Sequence, residues 1–256
     1  MRRRAFLAAA AGAGAVTLAG CSTASGEVSP PSLPNDRLDE LGYVEIDQEQ
    51  ETVFEEEYAG IELTASAHTL VYEDRELTED VAERTLGLVE GPLATFFATR
   101  VGFSPEIDDL PGGVGRSQIL EEVEKSSKDS FRVQMESYGI ENIEEVGEGT
   151  LETDSGVDAD LTEFTGVFPF DGFAFPVTDD HAVEIDADNV SVDGWLAVWF
   201  DGDDTLVAGG VHPAESFEEN VSESLSSGID VEIDVDMGME PDRYREEIHS
   251  LMKAVT

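Results

Sequence analysis

The chain has 256 residues, 58 of them Asp or Glu and only 14 Lys or Arg, for a formal net charge of −44. So few cations cannot assemble the basic surface that a nucleic-acid partner requires, which excludes DNA and RNA binding. The apolar fraction of 40%, with the acids interleaved among Val, Ile, Leu and Phe, argues equally against an acidic disordered chain.

Arg2-Arg3-Arg4-Ala5-Phe6-Leu7 opens the chain, an Ala/Gly stretch follows, and Leu18-Ala19-Gly20-Cys21 closes the segment. A charged start, an apolar middle and a small-residue cleavage site make an export signal over residues 1–20. Arg3, Arg4, Phe6 and Leu7 fit the twin-arginine pattern, and the middle is rich in Ala and Gly where other export signals carry Leu and Ile. The apolar stretch is also too short and weak for a spanning helix, which needs about 20 strongly apolar residues.

Leu18, Ala19, Gly20 and Cys21 resemble a lipobox in all four positions. The resemblance implies a two-chain lipid on the Cys21 thiol, with cleavage just before it, and hence a membrane partner. One acyl chain, at about 0.8 kcal/mol per buried CH₂, anchors only marginally. Cys21 is the sole cysteine, so once lipidated it leaves no thiol for a disulfide, a blue-copper or iron–sulfur site, or a thioredoxin-like pair. No cofactor is implied.

Removal of the signal takes Arg2, Arg3 and Arg4 with it and leaves 11 basic against 58 acidic residues, a net −47. Such imbalance strains a compact fold in dilute buffer by self-repulsion. At 1 M salt the Debye length falls to about 3 Å and most of that repulsion vanishes. A halophilic globular protein is the expectation.

Residues 21–37 read as the lipidated Cys and a Ser/Pro tether, extended around Pro30, Pro31 and Pro34. Residues 38–256 suit one extracytoplasmic domain. Strands are expected at 43–46, 52–54, 61–72 and 93–101, with a helix at 78–90 and a loop at 105–115. The clearest helix is 117–138, where Ile119, Val123, Phe131, Met135 and Tyr138 recur at helical spacing before Gly139.

Residues 143–153 and 158–168 form a hairpin turned at Asp154-Ser155-Gly156, and 190–200 with 205–212 form another. Trp195, Ala197 and Trp199 alternate with Leu196, Val198 and Phe200, so both faces are apolar and the strand is central. A short helix is read at 214–225 from Phe217, Val221 and Leu225. An alternating strand follows at 229–237, and a last helix begins at Pro241 and buries Tyr244, Ile248, Leu251 and Val255. The sum is an α+β domain, mostly antiparallel sheet with a few packed helices.

The chain resembles the haloarchaeal twin-arginine lipoproteins of uncharacterised function. The signal and lipobox carry this, with Val146-Gly147-Glu148-Gly149, Gly194-Trp195-Leu196-Ala197-Val198 and Gly209-Gly210-Val211-His212-Pro213 in the body. Residues 214–256 look like an extension beyond that pattern. The layout is also faintly similar to the photosystem-associated PsbP type, and neither likeness supplies a catalytic residue.

Site candidates are few. His68, His181, His212 and His249 show no metal-ligand spacing and read as four unrelated histidines. No nucleophile elbow, phosphate loop or dinucleotide fingerprint occurs. Asp201-Gly202-Asp203-Asp204 lacks the spacing of a calcium loop and reads as a hairpin turn. Phe164, Phe168, Phe170, Phe173 and Phe175 can wall an apolar pocket, touch a membrane, or plug the end of the sheet, the last being plainer. Asn189 and Asn220 head glycosylation sequons. The expected function is a lipid-anchored, non-enzymatic cell-surface protein that binds a partner or supports the envelope. The rivals are a small apolar ligand carrier and a hydrolase with a dispersed site.

Overall fold

The computed structural model describes residues 28–58, 60–89, 93–109, 116–170, 172–178, 181–185, 189–226 and 229–256. The signal at 1–20 and Cys21 lie outside the described residues. Helix α1 (Asn35–Leu41) opens the fold, and strands β1 (Tyr43–Tyr58) and β2 (Ile61–Asp74) follow. The two strands expected at 43–46 and 52–54 are one, because register shifts at Glu45/Asp47 and Thr52/Phe54 absorb the breaks in alternation.

Helix α2 (Arg75–Arg84) begins three residues earlier than expected, since the buried Asp74 carboxylate accepts from the Leu77 N–H at 2.9 Å and caps it. Then come β3 (Thr95–Ser104), a 3₁₀ turn at Ile107–Asp109, and α3 (Arg116–Ser137). The hairpin β4 (Glu141–Glu152) and β5 (Asp158–Phe168) matches expectation. A second hairpin, β6 (Phe173–Thr178) and β7 (His181–Ile185), was hidden in the sequence by Pro176, which a two-stranded ribbon tolerates.

The central hairpin is β8 (Val190–Asp201) and β9 (Asp204–Pro213). The helix expected at 214–225 is instead strand β10 (Glu218–Ser226), paired with β11 (Ile229–Asp236), and α4 (Pro241–Ala254) ends the fold. Phe217, Val221 and Leu225 are spaced by four, and four is a multiple of the strand period as well as one helical turn. The alternating partner decides it: Val221 sits opposite Ile233 and Glu219 opposite Val235.

Seven strands form one antiparallel sheet in the order β1-β2-β3-β9-β8-β5-β4. Trp195, Ala197 and Trp199 of β8 face α4, which lays Ile248, Leu251 and Met252 on them; α1 adds Leu38. Leu196 and Val198 face α3, with Ile119, Val123, Phe131 and Met135. Phe131 meets Phe164 edge-on at 5.2 Å and Phe97 at 5.7 Å, contacts worth about 0.5–1.5 kcal/mol each beyond burial. Gly209 and Gly210 let both layers close down: a Cβ on Gly209 would strike Phe97, and one on Gly210 would meet Ile248 at 3.1 Å.

The sheet has two distinct ends. At one, the turn end, the β4–β5 and β8–β9 hairpins reverse and α3 begins. At the other, α2, β6–β7 and β10–β11 gather round Leu77, Val81, Val183, Ile185, Phe217 and Val235 as a lobe with its own core. Part of the segment expected as tether is docked on the sheet. Pro31 is buried, Leu33 packs on the α4 layer, and Ser32 and Thr256 exchange backbone hydrogen bonds at 2.7 and 3.0 Å. Apolar burial at two positions and a paired backbone outweigh the extended preference of its prolines.

Candidate functional site

The first turns of α4 carry charged residues inward, to where the end of β2 meets the start of β1. Arg243 and Glu247 stand one helical turn apart, and their charges are 3.6 Å from each other. Arg243 is also 3.9 Å from the Asp74 carboxylate, and its guanidinium lies over the Tyr244 ring at 4.9 Å. Tyr43, whose hydroxyl is buried without a hydrogen bond, closes the group; Asp74 Oδ2 and Glu247 Oε2 are buried and unbonded too.

Two carboxylates beside one guanidinium leave the cluster one negative charge in excess. Asp74 is only 1% exposed and Glu247 only 8%, so water cannot stabilise that charge. Burial is the largest influence on Glu247; Arg243 opposes it while Asp74, Glu76 and Glu240 add to it, and the carboxyl is pushed up to about 7. Burial likewise raises Asp74 against the pull of the Leu77 N–H and Arg243, and raises Tyr43 together with Asp74 and Glu247. Chemically, Glu247 can hold or release a proton close to neutrality beneath a helix. The cluster brings no serine, threonine or cysteine nucleophile to it.

On the neighbouring face of α4, the structure corrects the reading of four unrelated histidines. His212 accepts from Trp195 Nε1 at 3.3 Å, and its Nδ1–H donates to the Pro213 carbonyl at 2.8 Å. His249 stands edge-on to the Trp195 ring at 4.5 Å. Burial lowers both histidines; Lys253, Arg245 and His212 lower His249 further, so the pair stays neutral at physiological pH. Arg245 bridges to Asp193 at 3.5 Å. Neutral imidazoles packed on an indole fill the α4 interface. His68 is remote: it donates from Nδ1 to the Val28 carbonyl at 3.0 Å, with Gln48 at its other nitrogen.

The remaining candidates disperse. Phe164 is buried against Phe131 on the α3 face, Phe168 is 39% exposed beside Gly139, and Phe170, Phe173 and Phe175 join the lobe core, where Phe170 meets Phe173 and Phe217. The five therefore do not wall one cavity; they fill two separate cores and one patch of surface. Asp203 and Asp204 of the β8–β9 turn are held by Arg116 at 2.6 Å and Arg100 at 3.0 Å, which accounts for their carboxylates. Asn189 and Asn220 are exposed, and Asn220 donates to Glu232 and Asp234.

Open depressions mark the surface of the described residues. One of about 370 Å³ lies between Arg132, Glu136, Glu141 and Ile143; one of about 250 Å³ lies between Val28, Thr64, Ser66, Glu106 and Asp204. The second is also lined by Ser29 and Ser104, and no histidine lines either of the two. Among the described residues no group of three or more His, Cys, Asp or Glu is arranged to hold a metal, and no helix is long and apolar enough to cross a membrane.

Sequence reasoning singled out Tyr244 for its apolar face but missed Tyr43, Asp74, Arg243 and Glu247. Scarcity was the available signal: of the 11 basic residues beyond the signal, three lie in α4.

A seven-stranded antiparallel sheet between helical layers, with two buried carboxylates set beside Arg243, defines a single α+β domain. The chain belongs to the family described as Domain of unknown function (DUF6517), matched over residues 30–256. No curated protein and no solved structure matches it.

Proposed function

We propose that this protein is a twin-arginine-exported lipoprotein of a high-salt cell surface, held by lipid on Cys21, whose domain binds or braces envelope components and does not catalyse. The supporting observation is a spacing. The family domain begins at residue 30, nine positions after the lipobox cysteine, so export signal, lipid site and folded body follow one another with little chain between them. Composition supports the same setting: 11 basic residues against 58 acids suit a protein whose charges are screened.

Replacement of the anchoring thiol tests the reading. Cys21→Ser, expressed in the native host, is expected to appear in the medium or to remain as uncleaved precursor. Mass spectrometry of the native protein should find a lipidated N-terminal cysteine. A Cys21→Ser protein that stays with the membrane as fully as the parent, or a native chain beginning at Met1 with a free thiol, overturns it.

A further inference from the structure

We infer that the turn end of the domain faces the lipid surface and that the lobe built on α2, β6–β7 and β10–β11 is displayed away from it. This rests on the lipid anchor proposed above and adds an orientation to it.

The argument starts where the docked chain begins. Val28 lies against the backbone of Gly102 near the end of β3, its carbonyl accepts from His68, and with Ser29 it borders Thr64, Ser104, Glu106 and Asp204. All of these belong to the turn end. Seven residue steps separate Cys21 from Val28. A polypeptide spans at most about 3.6 Å per residue, so the anchor point lies within about 25 Å of the lipid.

The sheet is longer than that. β8 has 12 residues and extends about 40 Å at the usual strand rise. With Val28 fixed at the turn end, a lobe-down arrangement needs a tether longer than the one present. The docking of Ser32 on Thr256 and of Pro31 in the core prevents residues 30–34 from supplying the missing length.

Lipidation makes the test clean, because a lipidated Cys21 leaves an introduced cysteine as the sole thiol. Ser155→Cys in the β4–β5 turn and Glu79→Cys on α2 are exposed positions at opposite ends. Each full-length protein, purified from host membranes and labelled with a maleimide donor, is reconstituted in molar salt into vesicles of host lipid carrying a headgroup acceptor. Energy transfer from position 155 is expected to exceed that from 79 several-fold. Inserting a Gly/Ser segment as long as β8 after Ser25 should abolish the contrast.

Equal transfer from both positions, or stronger transfer from 79, overturns the orientation while vesicle binding keeps the anchor. A contrast that survives the insertion overturns the tether argument. A parent protein that takes up maleimide at Cys21 and does not bind vesicles overturns the anchor itself, and the orientation falls with it.

Discussion

Glu247→Gln should make this domain more stable at pH 8, although it removes a charge that stands 3.6 Å from an arginine. The folded carboxyl titrates at about 7 against an ordinary 4.5, so between those values the native state holds a proton that the unfolded chain has released. The stability contributed by this group is fully present below pH 4.5 and is lost as pH rises toward 7. The distance from 4.5 to about 7 corresponds to about 3 kcal/mol. Asp74 is shifted in the same direction and adds to the slope.

Glutamine mimics the protonated acid at every pH. Its advantage over the parent should therefore grow from near zero below about pH 4, through about 1 kcal/mol at pH 5, to about 3 kcal/mol at pH 8. Urea titrations in molar salt measure this, because urea leaves ionic strength unchanged and Trp195 and Trp199, both buried, report the sheet. Parallel pH profiles for parent and variant, or a Gln variant less stable at pH 8, would refute the reasoning: Arg243 would then outweigh burial.

Gly210→Ala should cost about 3 kcal/mol or more, since its Cβ meets the Thr95 carbonyl at 2.5 Å and Ile248 at 3.1 Å, whereas Gly149→Ala, with nothing within 4 Å, should stay within about 0.5 kcal/mol. Equal urea midpoints for the two would show that α4 does not rest on β9. The mature domain should lose cooperative unfolding well below 1 M salt, as a net −47 is unscreened; circular dichroism and melting unchanged in dilute buffer would contradict this.

Sequence alone determined whatever rests on neighbours along the chain. The period of two along residues 190–200 marks a central strand, because six consecutive apolar residues at 195–200 leave no polar face to turn to water. Ser155-Gly156 and Gly202 mark tight turns, and the spacing of Ile119, Val123, Phe131 and Met135 marks one face of α3. Pro241 and the face Tyr244, Ile248, Leu251 and Val255 mark α4, all four of which are buried.

Tertiary structure decided what a local period leaves degenerate. A spacing of four fits helix and strand alike, so only the pairing with β11 made β10 a strand. The pairing of β3 with β9 joins residues more than a hundred positions apart, and no local pattern encodes it. The same holds for the cluster beneath α4. Tyr43, Asp74, Arg243 and Glu247 do not stand out one by one among so many surface charges, and acquire shared electrostatics only when the sheet and α4 exclude water from Tyr43, Asp74 and Glu247 and set the half-exposed Arg243 beside them. Burial is a property of the folded whole, and burial is what sets their chemistry.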